Sequence, residues 1–240
     1  MVGKSEMERG MQQRTELLLG SANLERLQNT KVIIFGLGGV GSWCAESLVR
    51  SGIRNMTIVD FDRVCLSNCN RQLVATRKTL DRAKVEVLKE RLLEINPDAH
   101  ITAMEKAYTA ENADDFHLDE YDFVIDAIDS LKDKADLILR TTALSGDTTL
   151  ISSMGAALRL DPFMIRKAEF WQVKGDPLAR VLRKRFKQQK TMPQREFQCV
   201  YSEELPMQLH GEKGSLCHIT ASFGMAIAGI VINDIVGQKQ

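Results

Sequence analysis

The sequence predicts an α/β fold, a doubly wound, Rossmann-like and mainly parallel sheet, with the C-terminal part of the chain as an extension of the same domain. Three observations support this prediction. Short apolar strands alternate with amphipathic helices over the first 150 residues, as in a doubly wound sheet. A glycine-rich loop, residues 36–41, directly follows the first strand. Asp60 ends the second strand, where such folds place an acidic side chain.

The predicted elements of this half follow one another at short intervals. Residues 31–35 are a short apolar run closed by glycines, which is typical of a buried parallel strand. Asn96-Pro97 stops a helix that carries apolar residues on one face. The predicted strands are residues 31–35, 56–59, 101–104, 123–125 and 149–151, and the predicted helices are residues 42–51, 79–95 and 132–144.

The rhythm changes after residue 155. A strand is expected over residues 164–170, followed by a basic helix, a polar loop over 188–196 and an apolar helix over 219–235. We therefore divide a single domain into three parts: a helical arm, an expected nucleotide-binding half, and a half for substrate and dimer contacts. These parts are residues 1–30, 31–155 and 156–240.

The composition is that of an ordinary globular protein, with 44% hydrophobic and 27% charged residues. The 32 basic residues balance the 32 acidic ones, so any nucleic-acid contact must come from a local patch. Five scattered cysteines without a Cys-x-x-Cys pair fit reduced thiols and supply no evident zinc site. No secretory signal is evident and no run reaches the ~20 apolar residues of a membrane span, so we expect a cytoplasmic protein without stable membrane insertion.

The glycine loop predicts a phosphate site. A glycine-rich turn between a strand and a helix lets backbone N–H groups approach phosphate oxygens, and the helix N-terminus adds partial positive charge. The loop glycines are Gly36, Gly38, Gly39 and Gly41, and Asp60 is placed to accept hydrogen bonds from ribose hydroxyls. Loop and aspartate alone do not separate NAD from ATP.

The residues after the second strand favour ATP. Attack on an α-phosphate builds negative charge that Arg, Lys and Mg²⁺ must neutralise, whereas a nicotinamide enzyme needs few charges beyond its pyrophosphate clamp. Cations and amides follow Asp60 closely, and carboxylates end the strand at 123–125, on the edge of the sheet where ligands bind. These side chains are Asp62, Asn68, Arg71, Gln72, Lys84, Asp126 and Asp129.

On these residues the chain resembles the ubiquitin-activating-enzyme-like, ThiF/MoeB-type family of adenylating enzymes. The resemblance rests on the glycine loop, Asp60 with the Ser-Asn-x-x-Arg-Gln run at 67–72, Lys84, and the Asp-Ala-Ile-Asp-Ser run at 126–130. It implies ATP and Mg²⁺ as cofactors, and it leaves room for a monovalent cation, Na⁺ or K⁺. It also implies a homodimer, because Arg14 is similar to the arginine that reaches the γ-phosphate bound to the neighbouring subunit.

The resemblance assigns a role to each residue. Asp60 would hold the ribose, and Asp129 would bind the magnesium. The implied catalytic residues are Arg14, Arg71, Lys84 and Asp129, and the implied nucleotide-binding residues are Gly36, Gly38, Gly39, Gly41, Asp60, Asp62, Asn68, Gln72, Asp126 and Ser130.

The second half of the chain points to the acid that is activated. Sulfur-carrier activators of the family carry two Cys-x-x-Cys pairs, which this sequence lacks. Residues 125–130, 174–180 and 199–202 instead resemble the branch that acts on modified tRNA. The implied reaction is adenylation of the threonylcarbamoyl carboxylate on a tRNA adenosine, followed by cyclisation with loss of AMP. The alternative is adenylation of the C-terminal glycine of a ubiquitin-like sulfur carrier, and a sulfur-transfer protein is a further candidate partner.

A basic helix fits an RNA substrate. Asp176 is its expected N-cap and Pro177 its first residue, and an apolar stripe is expected from Leu178, Val181, Leu182 and Phe186. The basic side chains form a candidate phosphate track for tRNA, with a merely solvated helix face as the alternative. They are Arg180, Arg183, Lys184, Arg185 and Lys187. Cys199 is expected to be structural or near the substrate, since no histidine base can be assigned to it.

Overall fold

The computed structural model describes residues 10–207 and 214–237 and contains a seven-stranded sheet. The strands are β1 Lys31–Phe35, β2 Asn55–Val59, β3 His100–Met104, β4 Phe123–Asp126, β5 Thr149–Ser153, β6 Ile165–Glu169 and β7 Gln198–Ser202. The α-helices are α1 Gln13–Leu19, α2 Ser21–Asn29, α3 Gly41–Ser51, α4 Lys84–Ile95, α5 Leu131–Ala143, α6 Pro177–Gln189 and α7 Cys217–Gly237. The predicted α/β class is confirmed.

The strand order is β3-β2-β1-β4-β5-β7-β6, and only β6 runs antiparallel. The order reverses between β1 and β4, and a doubly wound sheet binds its ligand at the carboxyl ends of the strands at such a switch point. Here the switch point lies between the glycine loop after β1 and the loop after β4. We call this side of the sheet the ligand edge.

Two hydrophobic cores cover the two faces of the sheet. Successive side chains of a strand point to opposite faces, so β1 contributes to both cores. Val32 and Ile34 join one core with α2, α3, α4 and α7, and Ile33 and Phe35 join the other with α5 and α6. A strand buried on both sides has no polar alternation, which is why β1 appears in the sequence as a continuous apolar run.

The helix predicted over residues 79–95 begins later, at Lys84. The N–H of Val64 donates to the carbonyl of Arg82 (2.9 Å), and Asp81 has a left-handed φ of +63°. A residue in that conformation cannot continue a right-handed helix. The prediction was therefore wrong over the first five residues, and Lys84 occupies the first position of α4.

Strand β7 is absent from the predicted elements. The segment contains the motif around Cys199, but polar residues at both of its ends, Gln198 and Ser202, hide the strand when the sequence is considered without its neighbours. It is buried from Cys199 to Ser202 between β5 and β6. The strand predicted over residues 164–170 is present as β6.

The apolar C-terminal helix is part of the first core. By length and composition α7 is the one described helix that could span a membrane. Phe223 and Ile227 are nevertheless fully buried in the core that includes α3. Gly224 lets the two helices meet, since a Cβ at this position would lie 2.5 Å from the carbonyl oxygen of Val40.

Candidate active site

The glycine loop connects β1 to α3 at the switch point. Gly36 has a φ of +88°, and a Cβ there would lie 2.6 Å from the carbonyl oxygen of Ala127 in the loop after β4. Only glycine fits this position. Gly39 faces Thr220 of α7, and Gly41 faces the carbonyl of Gly36, so packing within the fold requires both of them to be small.

Gly38 is the loop glycine that faces open space. The only atom within 4 Å of a Cβ built on it is the Nε2 of Gln72, at 3.8 Å. The Oε1 of Gln72 is buried and has no hydrogen-bond partner among the described residues. An open glycine backbone beside an unsatisfied buried amide is the arrangement expected where a polar ligand completes the site.

Asp60 is fixed at the end of β2 by two backbone bonds. Its Oδ2 accepts from the N–H of Leu37 (2.6 Å), and its Oδ1 accepts from the N–H of Asp62 (2.8 Å). Burial raises the pKa of Asp60, while the nearby Lys84 ammonium and these N–H groups oppose the rise. A carboxylate oxygen has a second lone pair, so both oxygens can still accept hydrogen bonds from a ribose.

The candidate phosphate ligands lie on the segment between β2 and α4. Lys84 is buried and its Nζ pairs with the Oδ2 of Asp62 at 2.7 Å. The Oδ1 of Asn68 accepts from the N–H of Cys65 (3.2 Å), and Arg71 donates from Nη1 to the carbonyl of Ser67 (3.0 Å). Lys84 is thus held by an ion pair and Arg71 by a bond to the backbone of its own turn.

Asp126 is the last residue of β4 and is held by buried protein groups. It is fully buried; its Oδ2 contacts the Nζ of Lys134 at 2.7 Å and the Oγ of Ser152 at 2.6 Å, and its Oδ1 accepts from the N–H of Ile128. In this geometry all of its contacts are to protein groups. These bonds fix the loop that follows β4, and the nucleotide contact expected of Asp126 stays a prediction.

Asp129, in the loop that follows β4, has the opposite surroundings. It is exposed and makes no hydrogen bond or ion pair with any described residue. Within the described ranges no three His, Cys, Asp or Glu side chains cluster to hold a metal. One free carboxylate fits Mg²⁺, which proteins often bind through one or two carboxylates plus phosphate oxygens and water. The neighbouring Ser130 donates from its Oγ to Asp133 (2.6 Å) at the start of α5.

Arg14 lies on the helical arm that precedes β1. It is exposed on α1, a helix without a buried residue, and within residues 10–207 and 214–237 it has no hydrogen bond or ion pair. Leu17 and Leu18 of the same helix are 73% and 82% exposed. The arginine and the two large apolar side chains are thus all exposed on α1.

The basic helix α6 starts at the ligand edge, where Asp176 caps Ala179 and also accepts from the N–H of Gly155. The helix buries Ala179, Leu182 and Phe186, so Val181, 44% exposed, was wrongly placed in the apolar stripe. Arg180, Lys184 and Lys187 are exposed.

Two of the five predicted tRNA-binding residues are less available. Arg183 donates from Nη2 to the carbonyls of Phe170 and Val173, and its guanidinium lies over the Phe170 ring. The Nε of Arg185 is buried without a partner in the described part of the chain. Arg183 thus holds α6 to the segment before it, and its expected contact with tRNA stays a prediction.

The cysteine on β7 is not an evident nucleophile. Cys199 is fully buried on β7, and burial raises the pKa of its thiol well above the ordinary value. A buried, protonated thiol is inert, which fits the first of the two roles expected from the sequence, structural or near the substrate. Cys65 is different, since it is exposed and a hydrogen bond with Ser67 lowers its pKa.

Sequence reasoning missed several residues that support the site. Lys134 and Ser152 hold Asp126, and the indole N–H of Trp43 donates to the carbonyl of Arg71 (3.1 Å). The available signal was weak, because a lysine within an amphipathic helix usually faces solvent. Only the position of α5 against the sheet shows that Lys134 points inward.

The fold and the site together define a class of nucleotide-binding α/β protein. It has a glycine loop at a switch point, an aspartate after β2, two cations at Arg71 and Lys84, and a free carboxylate after β4. The ThiF family model matches residues 12–239, and the chain belongs to this family. The predicted resemblance to adenylating enzymes is confirmed.

Relatives match over most of the chain. The tRNA threonylcarbamoyladenosine dehydratase of Bacillus subtilis is 38% identical over 194 residues, 81% of this chain and 75% of the relative. The dehydratase of Haemophilus influenzae is 34% identical over 90% of each chain. Crystal structures of the Escherichia coli dehydratase with AMP and with ATP superpose with a TM-score of 0.88 at 32% identity, covering 99% of this chain and 98% of that one.

Proposed function

We propose that this protein is an ATP-dependent tRNA threonylcarbamoyladenosine dehydratase. The observation that carries the proposal is the likeness to the E. coli dehydratase over the whole chain, including the half after residue 155 that would meet the substrate. A likeness limited to the nucleotide-binding half would fit any adenylating enzyme of the family.

The proposed reaction has two steps. The substrate carboxylate attacks the α-phosphorus of ATP and pyrophosphate leaves, which gives an acyl-adenylate. A nucleophile within the same threonylcarbamoyl group then attacks the activated carbonyl, closes the ring and releases AMP. Adenylation converts a poor leaving oxygen into a good one, and a nucleophile already attached to the substrate has a high effective molarity. This chemistry needs no enzyme thiol, in agreement with the buried Cys199.

The side chains of the site suit the first step. Asp60 would accept the ribose hydroxyls, and Asn68, Arg71 and Lys84 would bind the phosphates, with Gln72 and Asp62 supporting them. The positive charges of Arg71 and Lys84 would stabilise the negative charge that develops on the phosphoryl oxygens. Asp129 would hold Mg²⁺, which when bound neutralises charge on the pyrophosphate. The resemblance also allows a monovalent cation and a sulfur-transfer partner, and both stay predictions.

The proposal includes a cytoplasmic homodimer. Arg14 projects from a helix that buries none of its own residues, beside two exposed leucines. Apolar side chains in such a position favour burial against another chain. We propose that a second copy covers α1 and that its Arg14 completes the neighbouring phosphate site.

Nucleoside mass spectrometry tests the proposed function. Purified protein, ATP and Mg²⁺ are incubated with tRNA that carries threonylcarbamoyladenosine, and AMP is measured in parallel. We expect one AMP per modified nucleoside and a mass decrease of one water in that nucleoside. An unchanged nucleoside mass without AMP would overturn the proposal. Pyrophosphate exchange that requires a ubiquitin-like sulfur carrier would support the alternative substrate instead.

A further inference from the structure

The loop between β5 and β6 lies entirely at the ligand edge. It leaves the carboxyl end of β5 after Ser153 and ends at Ile165, which pairs with Ser202 at the carboxyl end of β7. Within it, Leu158 has a left-handed φ of +62°. A non-glycine residue in this region is strained, and such strain is concentrated at ligand-binding sites.

Arg159 follows this strained residue and is buried with idle donors. Its side chain is 1% exposed, and among the described residues the only partner of its guanidinium is the Oδ2 of Asp176, 3.2 Å from Nη2. Its Nε and Nη1 are both buried and have no hydrogen-bond partner in the described part of the chain. A guanidinium offers five N–H groups, so most of its donor capacity is unused.

Asp176 has little capacity left to satisfy that cation. Its Oδ1 accepts from the N–H of Ala179 (2.9 Å), and its Oδ2 accepts from Gly155 (3.2 Å) as well as from Arg159. The carboxylate is thus committed to capping α6 and holding the loop. Leaving a buried cation with unpaired N–H groups is unfavourable, which indicates a missing acceptor at this point of the ligand edge.

We propose that Arg159 binds an oxyanion of the RNA substrate and that this oxyanion is the carboxylate to be adenylated. The inference rests on the proposed function and adds the residue that recognises the reacting group. A planar carboxylate matches the forked donors of a guanidinium, and β5 adjoins β4, whose loop carries Asp129. The loop must shift for the anion to reach Nε and Nη1, and release of the strain at Leu158 favours that shift.

Binding of two tRNAs in the absence of ATP tests this role. One carries threonylcarbamoyladenosine and the other is identical but has unmodified adenosine, and fluorescence anisotropy measures both affinities. We expect Arg159→Gln to weaken binding of the modified tRNA by about 10- to 100-fold, the range for hydrogen bonds to a charged group, and to leave the unmodified tRNA unchanged. An equal loss for both would assign the oxyanion to an RNA phosphate and overturn the carboxylate.

Two further variants separate binding from folding. Arg159→Lys keeps a cation beside Asp176 but loses the fork, so it should still bind the modified tRNA more weakly than the wild type does. Arg166→Gln is the matched control, because Arg166 is an exposed arginine at the same edge that pairs with Glu203. It should not change the ratio of the two affinities.

Wild-type affinity ratios in both Arg159 variants would overturn the inference. Recovery of the wild-type ratio by Arg159→Lys would also overturn it, since that result would mean that Arg159 serves only as a structural partner of Asp176. Failure of the proposed function is seen separately, as absence of AMP release by the wild type with modified tRNA.

Discussion

At the scale of single residues, the end of β4 and the loop after it place two aspartates three positions apart in opposite surroundings. Asp126 is fully buried with three partners, and Asp129 is exposed without one among the described residues. Both residues are aspartates. Burial at the end of β4 makes Asp126 a positioning carboxylate, whereas the exposed Asp129 is free to bind a cation.

Asp129→Asn tests the free carboxylate. We expect AMP release to fall by about 10²- to 10³-fold, as when one group that stabilises transition-state charge is lost. The thermal unfolding midpoint should stay near that of the wild type, because Asp129 supports no other described residue. Asp119→Asn is the control, an exposed aspartate that precedes the amino end of β4. Retention of more than half the activity by Asp129→Asn would contradict the metal role.

The buried pair of Asp126 and Lys134 should control stability. Lys134→Met leaves a buried carboxylate without its cation, so we expect a loss of about 3–5 kcal/mol in the free energy of unfolding. Adding Asp126→Asn removes the stranded charge and keeps an acceptor for Ile128, so the double variant should regain part of that loss. Urea unfolding measures both. A double variant no more stable than the single one would argue against a charge effect.

Cys65 should be the most reactive thiol. Its hydrogen bond with Ser67 lowers its pKa, so the thiolate forms at a lower pH than usual, whereas burial raises the pKa values of Cys44 and Cys199. Iodoacetamide near pH 7.5 should label Cys65 first, as read by peptide mass spectrometry. Ser67→Ala should slow this labelling. Because Cys65 is the N-cap of the short helix that contains Asn68, bound ATP should also slow the labelling of Cys65. A labelling rate that is the same with and without ATP would contradict nucleotide binding by that segment.

At the scale of elements, α6 has two kinds of basic residue. Arg180, Lys184 and Lys187 are exposed, whereas Arg183 is bound to backbone carbonyls of the segment before the helix. A count of charges on the helix therefore overstates the surface that RNA could contact. The helix is placed by its cap, since Asp176 joins it to the loop after β5.

Charge reversal on α6 distinguishes these roles. Replacing Arg180, Lys184 and Lys187 by Glu should weaken tRNA binding and reduce the slope of log affinity against log salt by about 2–3, near 0.9 or less per lost phosphate contact. Arg183→Ala should instead lower the free energy of unfolding by about 1–3 kcal/mol, because its bonds to carbonyls are lost. An unchanged salt slope in the triple variant would contradict a tRNA contact and would mean that the basic face of α6 is only solvated.

At the scale of the whole molecule, the site is incomplete in one subunit if Arg14 acts across a dimer. In an equal mixture of Arg14→Ala and Asp129→Asn chains, half of the dimers are mixed, and one of their two sites has both residues intact. Random exchange of subunits should therefore restore about a quarter of the wild-type AMP release from two inactive variants. No recovery, with native mass spectrometry showing mixed dimers, would mean that Arg14 serves its own subunit.

The sequence by itself determined the α/β class, most strands and helices, the glycine loop and the family, because these depend on local apolar runs, on turn residues and on spacing along the chain. It also placed Asp176 and Pro177 correctly at the start of α6. It failed for β7 and for the start of α4, since both depend on hydrogen bonds to distant residues.

Only the tertiary structure decided which charged side chains are free. The inward position of Lys134, the commitment of Asp126 and Arg183 to protein partners, and the idle donors of Arg159 follow from how distant elements pack. Local sequence carries no record of that packing, because a charged residue looks the same whether its partner is water or a buried group. Burial and geometry distinguish a positioning residue from one available to a ligand.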